Sequence, residues 1–440
     1  MPATDPGAAA PALVRTLGRW SLTGLVVNGI IGTSIFILPG TLGQSLGWLS
    51  LAAWVIAAAL SGTMILCFAE VASRFSGTGG AYLFTRVAFG DFVGMQVGWL
   101  SYFVRSITAA VQANLFTTYL AEFWPWAGSR SGGLVATGLF LGILAAVNVR
   151  GVQSGARLSN AFALVKVTPL LALGVLGIIW AVNQGSAVDE NAYHVGLSEW
   201  LRALLLLMFA YGGFESAVIP LAEAKDPQRD APSALLLGLS VAAVLYLAAQ
   251  VTVLATLSEP AATTRPLAGA ARVMLGGPGA ALITIAALIS VYGWLSSNIL
   301  AVPRLSMALA ERGDFPRFFG RVHPTFRTPW FSILFFAGLS WVLANLAGLL
   351  QNLSLAAVSR LFTYGLVCAA LPVLRRMELR AATGVAPAAF RVPIGTTVAA
   401  VGILGSLILA TRMSAREAIT MSVVVALATA HWLGTRQRRT

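Results

Sequence analysis

Apolar residues run along the chain in long continuous stretches separated by short polar segments. They do not alternate at a period of two, so the pattern predicts helices and argues against a transmembrane barrel. A helix needs about 20 apolar residues to cross the hydrocarbon of a bilayer. Segments of that kind lie near residues 20–44, 46–70, 91–121, 132–149, 158–182, 199–223, 233–257 and 278–309. Residues 328–374 are too long for one crossing and divide near Ala347–Asn352, and two more segments follow near 392–411 and 417–434. The predicted fold class is an all-α membrane protein with twelve transmembrane helices. The expected organisation is a cytoplasmic N-terminal segment over 1–19, a ten-helix core over 20–374 and a cytoplasmic loop over 375–391. Two extra helices over 392–434 and a tail over 435–440 complete it.

Composition sharpens this. A length of 440 residues would suggest about three soluble domains. Yet 57% of the residues are hydrophobic and only 10% charged, less than half the roughly 25% of soluble domains. Disorder is excluded, because it requires low hydrophobicity and high charge. Two cysteines, Cys67 and Cys368, both inside apolar runs, exclude a disulfide scaffold. The net charge of +13 does not indicate a nucleic-acid partner, because the cations are mostly arginines scattered between apolar runs with no dense basic stripe. Their placement reads as topology instead. With both termini inside, 20 of the 29 Lys and Arg residues fall on the inner side and 6 outside, while Arg105, Lys166 and Arg360 lie within spans. Cytoplasmic loops collect Lys and Arg, so both ends are expected in the cytoplasm, in an inner, cell membrane. The Pro/Ala-rich N-terminus has no apolar h-region and is expected to be no cleavable signal; the first span then serves as the insertion signal.

Two of the spans carry glycine pairs at mid-depth. The first reads Asn28-Gly29-Ile30-Ile31-Gly32-Thr33-Ser34-Ile35-Phe36, and the sixth reads Phe209-Ala210-Tyr211-Gly212-Gly213-Phe214-Glu215. Glycine weakens a helix and lets backbone approach a ligand, although small residues also serve close packing of membrane helices. The recurrence at corresponding positions of two five-helix halves favours interrupted helices, the sequence mark of a transporter's site. A break exposes free N–H groups, which suit a carboxylate, and free carbonyls, which suit an ammonium. A zwitterion such as an amino acid uses both.

Four motifs carry a resemblance to a known family. They are Gly29–Phe36 with Pro39; Glu70 and Arg74 through Tyr82 to Gly90; Phe209–Glu215 followed by Glu223–Pro232; and Arg304 through Gly313-Asp314-Phe315-Pro316 to Thr328-Pro329. In this order and spacing the chain resembles the amino acid–polyamine–organocation transporter superfamily. The resemblance implies a leucine-transporter-like 5+5 inverted repeat plus two C-terminal helices. It implies that Gly32, Thr33 and Ser34 bind the substrate carboxylate, and that carbonyls of Ile30, Phe209 and Gly212 hold the ammonium. It also implies that the Phe209 ring acts as a lid. In several relatives a lysine at the position of Lys166 points into the space that a sodium ion fills in sodium-coupled members, so sodium-independent transport is implied.

Ionisable groups inside a bilayer cost at least about 2.5–3.5 kcal/mol at a helix centre, so each needs a reason. Lys166 is read either as a proton-exchanging group or as a permanent counter-ion, which leaves proton coupling open. Glu215 is read as a proton site or, more in keeping with a buried carboxylate, as a stitch to the helix-break backbone. Glu70 and Arg74, with the Gly77–Gly80 loop, are expected to form an inner gate network. Arg105 has no assigned role, and Arg360 is placed to pair with a helix-break carbonyl. Asn298 is expected to line the pocket. His194, His323 and His431 have no metal-ligand spacing, and Gly276-Gly277-Pro278-Gly279 lacks the Gly-Lys-Ser/Thr of a phosphate loop. No cofactor, metal or ATPase motif is expected, and no nucleophile–base pair suggests an enzyme. The function expected is sodium-independent secondary transport of amino acids, neutral ones by preference. A cationic amino acid or amine antiporter, and a non-transporting nutrient sensor on the same fold, are the rival readings. Oligomeric state is not encoded legibly.

Overall fold

The computed structural model describes residues 18–75, 79–151, 156–188, 195–215, 227–380 and 386–436. His194, Gly77 and Thr78 of the Gly77–Gly80 loop, residues 216–223 of the predicted sixth segment and the Glu223–Asp226 part of the third motif lie outside the described residues. Among the described residues the chain forms fourteen α-helices. They are α1 (Arg19–Ile30), α2 (Ser34–Leu46), α3 (Leu49–Ala72), α4 (Gly80–Phe89), α5 (Asp91–Leu120), α6 (Arg130–Val149) and α7 (Ala156–Gln184). After them come α8 (Leu197–Ala210), α9 (Pro227–Thr256), α10 (Pro266–Glu311), α11 (Trp330–Leu346), α12 (Leu349–Leu379), α13 (Gly395–Ala410) and α14 (Ala415–Arg436).

A helix stands over each predicted segment, with informative departures. Among the described residues, seven helices are long and apolar enough to cross a membrane, and α1 with α2 makes an eighth, bent by 48°. The chain is thus a multi-pass membrane protein. The bend follows from Ile31–Thr33: Ile31 takes an extended conformation at φ −75°, ψ 94°, and the helix restarts at Ser34. The short helix α4 had no counterpart in the apolar pattern, because ten residues cannot cross a bilayer. The eighth segment begins twelve residues earlier than the apolar run suggested. Gly276 adopts φ 71°, ψ −161° and turns the short helical arm from Pro266 into the long helix. A left-handed φ suits glycine, so the glycine cluster of 276–279 is a kink. The tenth segment also extends past residue 374 to Leu379.

The core gathers around the two breaks. α9 packs against α1, α3 and α7, while α12 packs against α3, α5, α8 and α13. Trp54 of α3 stacks on Tyr246 of α9 at 4.6 Å between centroids and meets Tyr211 edge-on at 5.8 Å. All three rings are fully buried, and their polar tips are bound: Tyr211 Oη donates to Trp54 O at 3.1 Å, and Trp54 Nε1 to Gln250 Oε1 at 2.9 Å. Buried aromatic polar groups require such partners, so the contacts fix α3, α8 and α9 in register.

Candidate functional site

The helix breaks touch each other through their glycines. A methyl group added at Gly29 would lie 2.7 Å from the Gly213 carbonyl oxygen, and one added at Gly213 would run into the Gly29 carbonyl oxygen. Gly213 has φ 103°, which L side chains rarely adopt. Only glycine at both positions allows this approach of main chain to main chain.

The breaks free backbone groups, and buried side chains take them up. On the α1 side, Lys166 Nζ donates to Asn28 O at 3.0 Å and to Ile31 O at 2.5 Å, with Lys166 only 1% exposed. Tyr246 Oη lies 2.9 Å from both Ile30 O and Ala210 O and 3.0 Å from Ser34 Oγ, joining both breaks. On the α8 side, Arg360 Nη1 donates to Phe209 O at 3.0 Å, and its Cζ lies 4.8 Å from the centre of the Phe209 ring. Its Nη2 reaches Thr108 Oγ1 at 3.3 Å. Glu215 Oε2 accepts from Gly213 N at 2.8 Å and from Tyr364 Oη at 2.6 Å, while Oε1 is 3.8 Å from Arg360 Nε. The carboxylate thus stitches its own helix break.

Each predicted residue can now be placed. Gly32, Thr33 and Ser34 open α2, where N–H groups point out of a helix N-terminus. Thr33 Oγ1 is buried without a hydrogen-bond partner among the described residues, and so is Gln112 Oε1 of α5, whose amide nitrogen lies beside Gly32. Buried polar atoms are normally paired, so this pair is unspent binding capacity next to the α2 N-terminus. Ile30 O and Phe209 O are already engaged by Tyr246 and Arg360. Gly212 packs directly under the Arg360 guanidinium, which a side chain there would displace. Asn298 is buried, and its Oδ1 accepts from Arg105 Nη1 at 3.2 Å. Glu70 lies elsewhere, fully buried at the end of α3. It binds Arg74 Nη2 at 3.1 Å, Arg375 Nε at 2.7 Å and Nη2 at 2.6 Å, and Val392 N at 2.8 Å. Arg74 also pairs with Glu378 at 2.5 Å, and Arg391 with Glu378. This cluster ties α3, α12 and the segment before α13 together.

A cavity of about 310 Å³ runs from the α8 break, at Glu215, Arg360 and Tyr364, to the C-terminal part of α10. Such a volume is typical of small-molecule sites. Ile30, Gly32, Thr33, Ser34, Phe209 and Gly212 are not on its wall among the described residues, and neither is Asn298, which was expected to line the pocket and instead meets Arg105 behind it; Thr33 and Ser34 are both 1% exposed. The cavity therefore reaches the α8 break and stops short of the α2 N-terminus. Tyr82 of α4 also lines it and donates to Asp314 Oδ2 at 2.5 Å. Burial first, and the Asp314 carboxylate second, push the Tyr82 hydroxyl above its usual pKa, so it remains a donor.

Three participants escaped sequence reading: Tyr246, Tyr364 and Gln112. Each is a polar tip in an apolar run, a weak signal, because such residues also serve ordinary helix packing.

The amino acid permease family model matches residues 17–428, and the chain belongs to that family, within the amino acid–polyamine–organocation superfamily. It is 28% identical over 348 residues to the serine/threonine exchanger SteT of Bacillus subtilis, covering 75% of this chain and 76% of that one. It is 27% identical over 411 residues to the methylthioribose transporter of the same organism, with 87% and 85% covered. Against mouse cationic amino acid transporter 4 it is 28% identical over 385 residues, 83% of this chain and 60% of that protein. The homologues are transporters, and amino acid transport in general is supported.

Proposed function

We propose that this protein is a sodium-independent secondary carrier of amino acids, working by alternating access around the paired helix breaks. In this reading its twelve segments form a 5+5 inverted repeat plus two helices, with both termini cytoplasmic in the cell membrane. The observation that carries it is Lys166, whose ammonium lies on the carbonyls of Asn28 and Ile31, the groups that a broken first helix would otherwise offer to a bound cation. A fixed ammonium there satisfies those carbonyls without sodium. The α2 N-terminus, with Thr33 and Gln112 beside it, suits the substrate carboxylate. The arginines of the cavity disfavour cationic amino acids and leave the neutral class, expected from the sequence, and the anionic class.

Uptake into proteoliposomes tests this. Saturable counterflow should persist unchanged when choline replaces sodium, and Lys166→Met should slow it by at least about tenfold with normal expression. Strict loss of uptake in choline at constant pH would remove the sodium-independent reading and the role of Lys166 with it. Absence of counterflow for any substrate would favour a sensor.

A further inference from the structure

The cavity has a charge pattern that sodium independence does not explain. Four arginines line it: Arg312 and Arg304 are exposed towards the C-terminal end of α10, Arg105 is half-buried along the wall, and Arg360 is buried at the inner end. Glu215 is the only carboxylate on this wall among the described residues; it is engaged by Gly213 N, Tyr364 Oη and Arg360 and also faces the Arg105 charge, so one carboxylate stands against four guanidinium groups. The ionisable lining is therefore strongly cationic, and a low-dielectric cleft lined by one sign of charge concentrates the opposite sign.

Arg360 adds a second constraint. Its guanidinium covers Gly212 and binds Phe209 O, at the carbonyl corner where an incoming ammonium would be received. A substrate whose charge is concentrated in an ammonium meets a resident cation there. A substrate carrying an additional carboxylate gains from it.

We propose that the cavity selects substrates with a second carboxylate, acidic amino acids above all, and that Arg105, held by Asn298 Oδ1, is the residue that reads that group. The proposal rests on the carrier reading above and narrows its substrate class. Arg105 suits the role through its place on the wall between the exposed mouth and the α8 break. A guanidinium presents a planar fork of donors that matches a carboxylate, and Asn298 holds one arm of that fork. In a low-dielectric cleft lined by cations such a contact favours the charged substrate over a neutral isostere, which gains nothing from the surrounding positive charge.

The test is competition for counterflow in proteoliposomes by L-glutamate, L-glutamine, L-arginine and succinate. Glutamate should compete at a concentration at least about tenfold below that of glutamine, and arginine should compete worst. Arg105→Gln should bring glutamate and glutamine together, while Arg105→Lys keeps part of the preference. Glutamine or arginine equal to or better than glutamate in the wild-type protein overturns the proposal and leaves the amino acid carrier intact, whether or not the variants fold. An unchanged glutamate-to-glutamine ratio in Arg105→Gln overturns the role of Arg105. Succinate competing as well as glutamate, with every amine-bearing neutral substrate inert, supports the anionic cavity and removes the amino acid reading. No saturable transport of any of the four removes both.

Discussion

Single residues hold the breaks open. A helix interrupted inside a bilayer is viable only if its freed backbone groups find partners, and here the partners are Lys166, Tyr246, Arg360 and Glu215. Three of these, Lys166, Arg360 and Glu215, were visible in the sequence as ionisable residues that needed a reason. Glu215 turned out to bond Gly213 N, and Arg360 pairs with a break carbonyl, that of Phe209. Tyr246 was not visible, because a tyrosine in Ala242–Gln250 looks like any other apolar residue until its hydroxyl is seen to lie 2.9 Å from two carbonyls. The glycines are the most sensitive positions. Gly213→Ala forces a side chain onto φ 103° and into the Gly29 carbonyl oxygen, so it should cost about 1–3 kcal/mol and lower the melting temperature in detergent. A variant that melts with the wild type would show that the two breaks do not need this contact.

At the scale of elements, the apolar pattern placed the long helices within a few residues, because length and hydrophobicity are written continuously along the chain. It missed α4 and the Pro266–Gly276 arm of α10, which are too short to register as crossings. It could not show how elements are joined across sequence distance. The Glu70 cluster is the clearest case: its partners Arg375 and Val392 lie more than 300 residues away. Glu70 and Arg74 alone were legible as a pair four residues apart at the C-terminal end of α3. Arg375→Met should leave the buried Glu70 carboxylate short of two charge-assisted bonds, at a cost of about 2 kcal/mol. Thermal unfolding in detergent measures this, and an unchanged midpoint would mean that Arg74 and Val392 N suffice.

Across the whole molecule, orientation in the membrane rests on the distribution of arginines, a statistical signal that packing does not report. It makes a sharp statement about opposite faces. In a protein whose buried Cys67 and Cys368 are replaced, Arg150→Cys and Glu259→Cys lie in exposed turns on loops expected inside and outside. A membrane-impermeant thiol reagent applied to intact cells should label the Glu259→Cys protein and leave the Arg150→Cys protein unlabelled until the cells are opened. The reverse pattern would invert the topology, and equal labelling would contradict an odd number of crossings between the two loops. The candidate site was legible at the level of which helices break, because glycine pairs are local. The sign of charge in the cavity was not, since its arginines come from three separate helices and meet only in the fold.

The contact between Gly29 and Gly213 has a mechanical consequence. Interdigitated side chains move past one another in steps, because each must leave one rotamer well for another. Two bare amide planes have no such notches, so at this contact the resistance to a swivel comes from the Tyr246 hydroxyl that bridges the breaks and not from interlocked side chains, as in a bearing held by a pin. The 13 residues of α2 extend about 20 Å from that bearing, so a swivel of ~10° carries their far end through roughly 3.5 Å. In the carrier reading proposed above, a lever of that length would turn a small rotation at two glycines into the opening or closing of a passage for a small molecule.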